Sequence, residues 1–202
     1  WVERSRQGPE FVILLDRSRS MDDIFNRPPR NLLPRKAFST RSKRQVSGDY
    51  LSEFIKRRPD DRFGYILFST TATEILPLTY NRDAVLATVK AGSLGKGLSQ
   101  TDIYRALATA AAMFEHEPYR GSRNILLISD GGVALTASEK RELEQRLSKM
   151  RLNLYWIYLR SMRGMTLDPG DDDNLLWMEM PERKLHQFFQ TLQTPYQAFE
   201  AG

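Results

Sequence analysis

The chain contains no cysteine. That excludes a disulfide framework, a thiolate metal site and a cysteine nucleophile, and leaves the compartment open. Histidine is scarce, with His116 and His186 the only two. Neither follows a predicted strand end. A Ser/His/Asp triad needs its base within reach of the nucleophile, so both histidines read as surface or boundary residues. No apolar run reaches the length of a membrane span. The polar start Trp1-Val2-Glu3-Arg4-Ser5-Arg6-Gln7 has no leader character. Position 1 is not Met, so the sequence reads as a processed or excised chain, which leaves room for membrane segments on either side. A phosphate-binding Gly-x-x-x-x-Gly-Lys-Ser/Thr loop is also missing. Gly92-Ser93-Leu94-Gly95-Lys96-Gly97 places Gly after the Lys, and it reads as a mobile loop leading to Thr101.

What is present is enough for one sizeable core: 202 residues with 41% hydrophobic content. The formal net charge is +5, and the excess is uneven. Arg27, Arg30, Arg35, Lys36, Arg41, Lys43 and Arg44 crowd one region, followed by Lys56, Arg57 and Arg58. Such a patch attracts an acidic protein, a membrane surface or nucleic acid. Its plainer reading is a solvated basic face. Base-reading elements are missing, so nucleic acid is not an expected partner.

Hydrophobic patterning orders the chain. Residues 1–10 are a charged lead-in, 11–195 a single domain and 196–202 a C-terminal tail. Phe11-Val12-Ile13-Leu14-Leu15, Phe63 to Phe68, Ile125 to Ser129 and Leu154 to Leu159 are apolar runs of the kind found in buried parallel strands. Thr73 to Leu76 reads as a short antiparallel partner of the second. Helices are expected from about Arg35 to Arg57, with Val46, Tyr50, Leu51, Phe54 and Ile55 facing the sheet. Others follow from Asn81 through Lys90, across the Ala-rich Ala106 to Phe114, and from a Ser138 cap to Met150. A closing helix spans Glu182 to Leu192, and Leu175 to Met180 reads as a last edge strand. The aromatics of the last long strand, Tyr155, Trp156 and Tyr158, alternate between its faces. This order predicts a doubly wound α/β fold: a mostly parallel sheet with one short antiparallel edge strand and helices on both faces.

Oxygen-bearing side chains follow three strand positions: Asp16-Arg17-Ser18-Arg19-Ser20-Met21, Thr101-Asp102 and Ser129-Asp130-Gly131. In an open α/β sheet, ligands bind outside the carboxyl ends of the strands. Steps of two residues let Asp16, Ser18 and Ser20 point into one pocket, and two further loops bring Thr101 and Asp130 alongside. All five donors are oxygens, the preference of hard cations such as Mg²⁺ and Mn²⁺. Asp22 and Asp23 read as cap or rim residues. Asp168, Asp171, Asp172 and Asp173 lack the central Gly and final Glu of an EF-hand loop and read as a solvated loop. The competing reading of the main motif is polar turn and cap chemistry without metal.

D-x-S-x-S, a later Thr and a later Asp-Gly, in this order of strands and helices, resemble the metal-ion-dependent adhesion site (MIDAS) of a von Willebrand factor A (VWA) domain, over roughly residues 8 to 195. The resemblance implies a Rossmann-like fold. It implies coordination of Mg²⁺ (or Mn²⁺ or Ca²⁺) by Ser18, Ser20 and Thr101, with Asp16 and Asp130 acting directly or through water. It also implies non-catalytic recognition of a protein partner whose acidic side chain completes the metal shell. Among A domains the chain is most similar to membrane-anchored bacterial proteins encoded with MoxR-type AAA+ ATPases, including accessory proteins of methanol dehydrogenase maturation. The implied setting is the periplasmic face of the inner membrane, with the ATPase and a client enzyme as partners and calcium insertion as the task. Where the family often has Gly between the two serines, this chain has Arg19. Arg19 and Arg17 repel a cation unless they point outward, where they favour an acidic partner. The alternative from another class is Mg²⁺-dependent phosphoryl transfer with Asp16 as nucleophile; enzymes of that type usually carry a second Asp where this chain has Ser18.

Overall fold

Four apolar runs and two edge segments hydrogen-bond into one six-stranded sheet. It is seen in a computed structural model that describes residues 8–25, 41–160, 166–168 and 179–201. The strands are β1 (Glu10–Asp16), β2 (Arg62–Phe68), β3 (Ala72–Thr79), β4 (Arg123–Ser129), β5 (Leu152–Leu159) and β6 (Tyr196–Ala201). Their spatial order is β3-β2-β1-β4-β5-β6. All neighbours pair in parallel except β2 and β3, which are antiparallel. The doubly wound fold expected from the sequence is therefore the one observed.

Alternation along the central strands feeds two separate cores. Val12, Leu14, Ile125, Leu127, Leu154 and Trp156 point to one face. There they meet α3 (Ile103–Glu115), α4 (Ala137–Lys149) and α5 (Pro181–Thr191). Phe11, Ile13, Leu15, Leu126 and Ile128 point to the other, toward α1 (Lys43–Lys56) and α2 (Arg82–Gly92). Burial on both faces explains why these strands read as unbroken apolar runs.

The far pole of the sheet is closed by charge. Glu10, Arg62 and Arg123 are the first residues of three adjacent strands and are mutually in register. Glu10 is fully buried and takes Arg62 at 2.6 Å, with Arg123 at 3.8 Å. Arg62 also holds Glu117 at 2.9 Å. The carboxyl ends of the strands lie at the opposite pole and are left to the site.

Several expectations need correction. Helix α1 begins at Lys43, because Ser42 and Gln45 form a reciprocal capping box; Arg41 lies outside the helix and residues 35–40 lie outside the described residues. Tyr50 is largely exposed, whereas Phe54 packs edge-on against Phe11 and Phe63. Thr136, paired with Glu139, caps α4 in place of Ser138. The edge strand is Tyr196–Ala201, the segment read as a tail. Of the edge strand expected at 175–180, Glu179 and Met180 are non-strand and the remainder lies outside the described residues. His116 is exposed, as a surface histidine should be. His186 is instead buried, 2.8 Å from the Tyr196 hydroxyl and 3.0 Å from Gln190.

The role of β6 is open to test. Tyr196 packs on Phe189 with the rings tilted and bonds His186, and β6 pairs with β5 from Leu154–Tyr196 to Leu159–Ala201. Truncation after Pro195 is expected to cost at least about 2 kcal/mol, from the lost aromatic packing and buried hydrogen bonds. Urea denaturation of the truncated and full chains measures it. Equal midpoints would return the segment to the status of a tail.

Candidate functional site

Asp16 ends β1 with no solvent exposure. One carboxylate oxygen accepts the Ser18 N–H at 2.6 Å and the other accepts the Ser129 hydroxyl at 2.6 Å. The first bond folds the D-x-S turn, and the second ties the tips of β1 and β4 together. From there a 3₁₀ turn over Arg19–Asp22 lifts Ser20 beside Ser18, their Oγ atoms 3.0 Å apart. Ser20 donates to Asp130 Oδ1 at 2.8 Å. The opposite oxygen of Asp130 accepts Lys43 Nζ at 2.6 Å, and the lysine is 1% exposed. Asp16, Ser18, Ser20 and Asp130 thus form one hydrogen-bonded chain, with Ser20 exposed at its mouth.

The loop that carries Thr101 is fastened to the first. Leu98 N donates to Arg17 O at 2.8 Å, and Arg19 N donates to Leu98 O at 2.8 Å. Gly97 N donates to Asp22 at 2.6 Å, and Thr70 Oγ1 to Ser99 O at 2.8 Å. A Cβ at Gly97 would stand 2.6 Å from Ser18 O and from Arg19 Cα, so only glycine permits this approach. The segment read as a mobile loop is therefore pinned at several points. It delivers Thr101 half-buried, and Asp102 caps α3 through the Arg105 N–H at 2.9 Å. Ile103 packs on the Gly132 backbone, which brings the Thr101 and Asp130 loops side by side. Among the described residues the Thr101 hydroxyl is not hydrogen-bonded to any of the other four. Among the described residues the sheet thus gathers four of the expected five by direct contact, and Thr101 by position.

The flanking arginines divide. Arg19 is exposed. Arg17 is half-buried and turned toward Gly95, away from the cradle. Asp22 rims the site, in an ion pair with the buried Arg44. Lys43 and Arg44 were read as part of a solvated basic face; both are buried, against Asp130 and Asp22. Lys56, Arg57 and Arg58 are exposed as expected, and residues 26–40 lie outside the described residues. Gly131 adopts φ +134°, and Glu182 from the first turn of α5 packs on it.

The donor set suits a hard cation. Among the described residues no cluster of three or more His, Cys, Asp or Glu side chains is placed to hold an ion. Hydroxyls must therefore supply much of any shell. Adjacent oxygens of an octahedral Mg²⁺ shell lie about 2.9 Å apart, given Mg–O distances of roughly 2.0–2.1 Å. The steps Ser18–Ser20 and Ser20–Asp130, at 3.0 and 2.8 Å, are hydrogen bonds of a length that such an edge would replace without moving the oxygens far.

The sequence matches the von Willebrand factor type A domain model over residues 11–133. The chain belongs to that family. Among curated proteins none matches the sequence. The structure is similar to an aerotolerance-related membrane protein from Bacteroides fragilis carrying several mutations to serine. That likeness has a TM-score of 0.62 at 18% identity and covers 95% of this chain and 92% of the other. BatB from Bacteroides thetaiotaomicron is similar at TM-score 0.58 and 18% identity, covering 96% and 92%. The SpRpn10 VWA domain is similar at TM-score 0.60 and 11% identity, covering 96% and 87%. At these identities the likeness establishes the fold.

Burial dominates the electrostatics of Asp16. It pushes the carboxyl up from 3.8 to about 7, against the lowering effect of the Ser129 and Ser18 hydrogen bonds; the nearby Asp130 charge adds to the rise. The folded state then holds a proton that the unfolded chain releases near 3.8. Between these values the native state binds more protons, so the contribution of Asp16 to stability is full below about pH 4 and is lost as pH rises through about 7. Asp16→Asn keeps the shape and removes the titration. In chelator, the variant is expected to gain stability relative to wild type between pH 5 and pH 8, read by urea unfolding at the two pH values. A constant difference between them would contradict this account.

Proposed function

We propose that this A domain is a non-catalytic, metal-dependent protein-interaction module. Ser18, Ser20 and Thr101 hold a Mg²⁺ or Mn²⁺ ion, with Asp16 and Asp130 acting directly or through water, and the ion binds an acidic side chain of a partner. The observation that carries this reading is the hydrogen-bonded run of oxygens from Ser18 through Ser20 to Asp130, backed by the buried Asp16. Neutral hydroxyls leave a divalent ion underneutralised, and Mg²⁺ keeps exchangeable waters that an incoming carboxylate replaces. The surroundings favour such a guest. Arg19 is exposed beside the mouth, and Leu98 and Val133 stand 55% and 64% exposed on the two loops that flank it. Apolar side chains ringing a charged anchor exclude water from it, as the contacts around a hot spot do.

The phosphoryl-transfer alternative finds no support in the geometry. Both Asp16 oxygens are engaged and neither meets solvent, so no nucleophile is presented.

The setting follows from the resemblance. A structurally similar protein is described as an aerotolerance-related membrane protein, and among the described residues of this chain no helix is long and apolar enough to cross a membrane. We place the domain on the periplasmic face of a bacterial inner membrane, anchored by segments outside this sequence. A MoxR-type AAA+ ATPase and a client enzyme are its partners, and methanol dehydrogenase maturation or calcium insertion is the assembly step served.

Metal linkage tests the core of the proposal. Mg²⁺ or Mn²⁺ at a hundredfold excess over its Kd stabilises by about 2.7 kcal/mol. The expected result is a rise in Tm that Ser18→Ala and Asp130→Ala each abolish. A Tm unmoved by Mg²⁺, Mn²⁺ and Ca²⁺ would overturn the metal reading.

A further inference from the structure

Behind the D-x-S loop, away from the cradle, several buried donor atoms have no hydrogen-bond partner among the described residues. Arg44 of α1 is 3% exposed and leaves its Nε and Nη1 unbonded. Arg17 leaves its Nε, and the fully buried Tyr65 of β2 leaves its hydroxyl. Buried polar groups in folded proteins are nearly always paired, so a group of orphans in one place needs an explanation.

The three side chains converge on the loop that follows α2. Arg44 donates through Nη2 to Gly95 O, and the Arg17 guanidinium lies against the same glycine, 3.1 Å from where its Cβ would stand. The Tyr65 hydroxyl packs on Gly92, where a Cβ would meet it at 2.6 Å. Both guanidiniums act on that hydroxyl through their charge. Burial outweighs them and pushes it above the usual tyrosine range, so it keeps its proton and remains a donor.

Donors are in excess here, and so is positive charge. Guanidinium groups donate and never accept. A water molecule accepts two hydrogen bonds, fewer than the orphaned N–H groups alone supply. The carboxylate at this place is Asp22, which pairs with Arg44 and takes the Gly97 N–H at 2.6 Å. Arg17 has no carboxylate partner among the described residues. Lys96, in the same loop, is exposed to solvent. Two guanidiniums thus face one carboxylate, a surplus of one positive charge. The orphaned atoms are shut off from solvent, and stripping water from an ion costs least when its charge is single.

We propose that Arg17, Arg44 and Tyr65 form a binding site for a small monovalent anion of the halide class, chloride, which fastens the 92–97 loop to the D-x-S loop. The site is separate from the cation cradle and does not depend on the metal reading.

The test exchanges gluconate for chloride at constant ionic strength, in chelator, and follows Tm together with the width of the chloride NMR resonance. Wild type is expected to gain Tm along a saturating curve, by linkage, and to broaden the resonance. Arg17→Gln is expected to abolish both effects. Tyr65→Phe removes one oxygen and is expected to weaken chloride binding about tenfold, the loss of a hydrogen bond to a charged group. The sign of its effect on stability is a second readout. If chloride holds the hydroxyl, Tyr65→Phe lowers Tm in chloride; if the hydroxyl is a true orphan, its removal leaves Tm unchanged or raises it, and that result would overturn the proposal. Arg57→Gln, at an exposed arginine that ends α1, is expected to keep the wild-type response. Should Arg17→Gln prove unfolded by circular dichroism, Tyr65→Phe carries the test. Equal Tm in chloride and gluconate with an unbroadened resonance would sink the proposal. A response to phosphate and not to chloride would do the same, as would a chloride response that Arg17→Gln and Tyr65→Phe both retain, which is a general salt effect.

Discussion

The Ser129 hydroxyl donates to Asp16 across the tips of two neighbouring parallel strands, in a place that water does not reach. The arrangement of the site hangs from that bond. It fixes one Asp16 oxygen, which leaves the other to fold the turn carrying Ser18 and Ser20. Ser129 also accepts the Gly131 N–H at 3.1 Å and lies 2.6 Å from the Gly131 carbonyl oxygen, so the same hydroxyl shapes the loop that presents Asp130. A buried carboxylate costs free energy unless hydrogen bonds compensate it. Here the compensating donors come from the two loops that must be held together. Desolvation and positioning are therefore two aspects of one contact.

Much of this was legible in the sequence, for identifiable reasons. Strands buried on both faces leave unbroken apolar runs, and Phe11 to Leu15 and Ile125 to Ile128 end where polar residues begin. The strand ends of Asp16 and Asp130 followed directly. Thr101 was harder to place, because its loop is set by the Gly97 approach to Ser18, a backbone contact without a side-chain signature. Ser129 was passed over as the last residue of a strand, although its position next to Asp130 was a usable clue.

Lys43 and Arg44 escaped for a different reason. Charged residues in a basic stretch read as solvated, and composition gives no sign that a partner carboxylate is waiting elsewhere in the chain. Helical spacing did hold a clue. Arg44 lies seven residues before Leu51, and Lys43 four before Ser47, on the face that α1 turns inward. Reading that stripe back to its first turn exposes the conflict between charge and burial that marks a buried ion pair. The edge strand β6 was missed because Tyr196–Ala201 is mostly polar or small, and its pairing with β5 becomes evident only in three dimensions.

The ion cluster at the far pole has a bearing on this. Glu10 begins the strand that Asp16 ends, and six residue steps of strand set them about 20 Å apart. A slip of β1 by one position would exchange its two faces and carry Leu15 into the slot of Asp16. The same slip would drag Glu10 away from Arg62 and Arg123 and strand three charges out of water. A salt-bridge lock that no guest ever touches thus acts as a proofreading device for the opposite end, admitting only the alignment in which the oxygens meet.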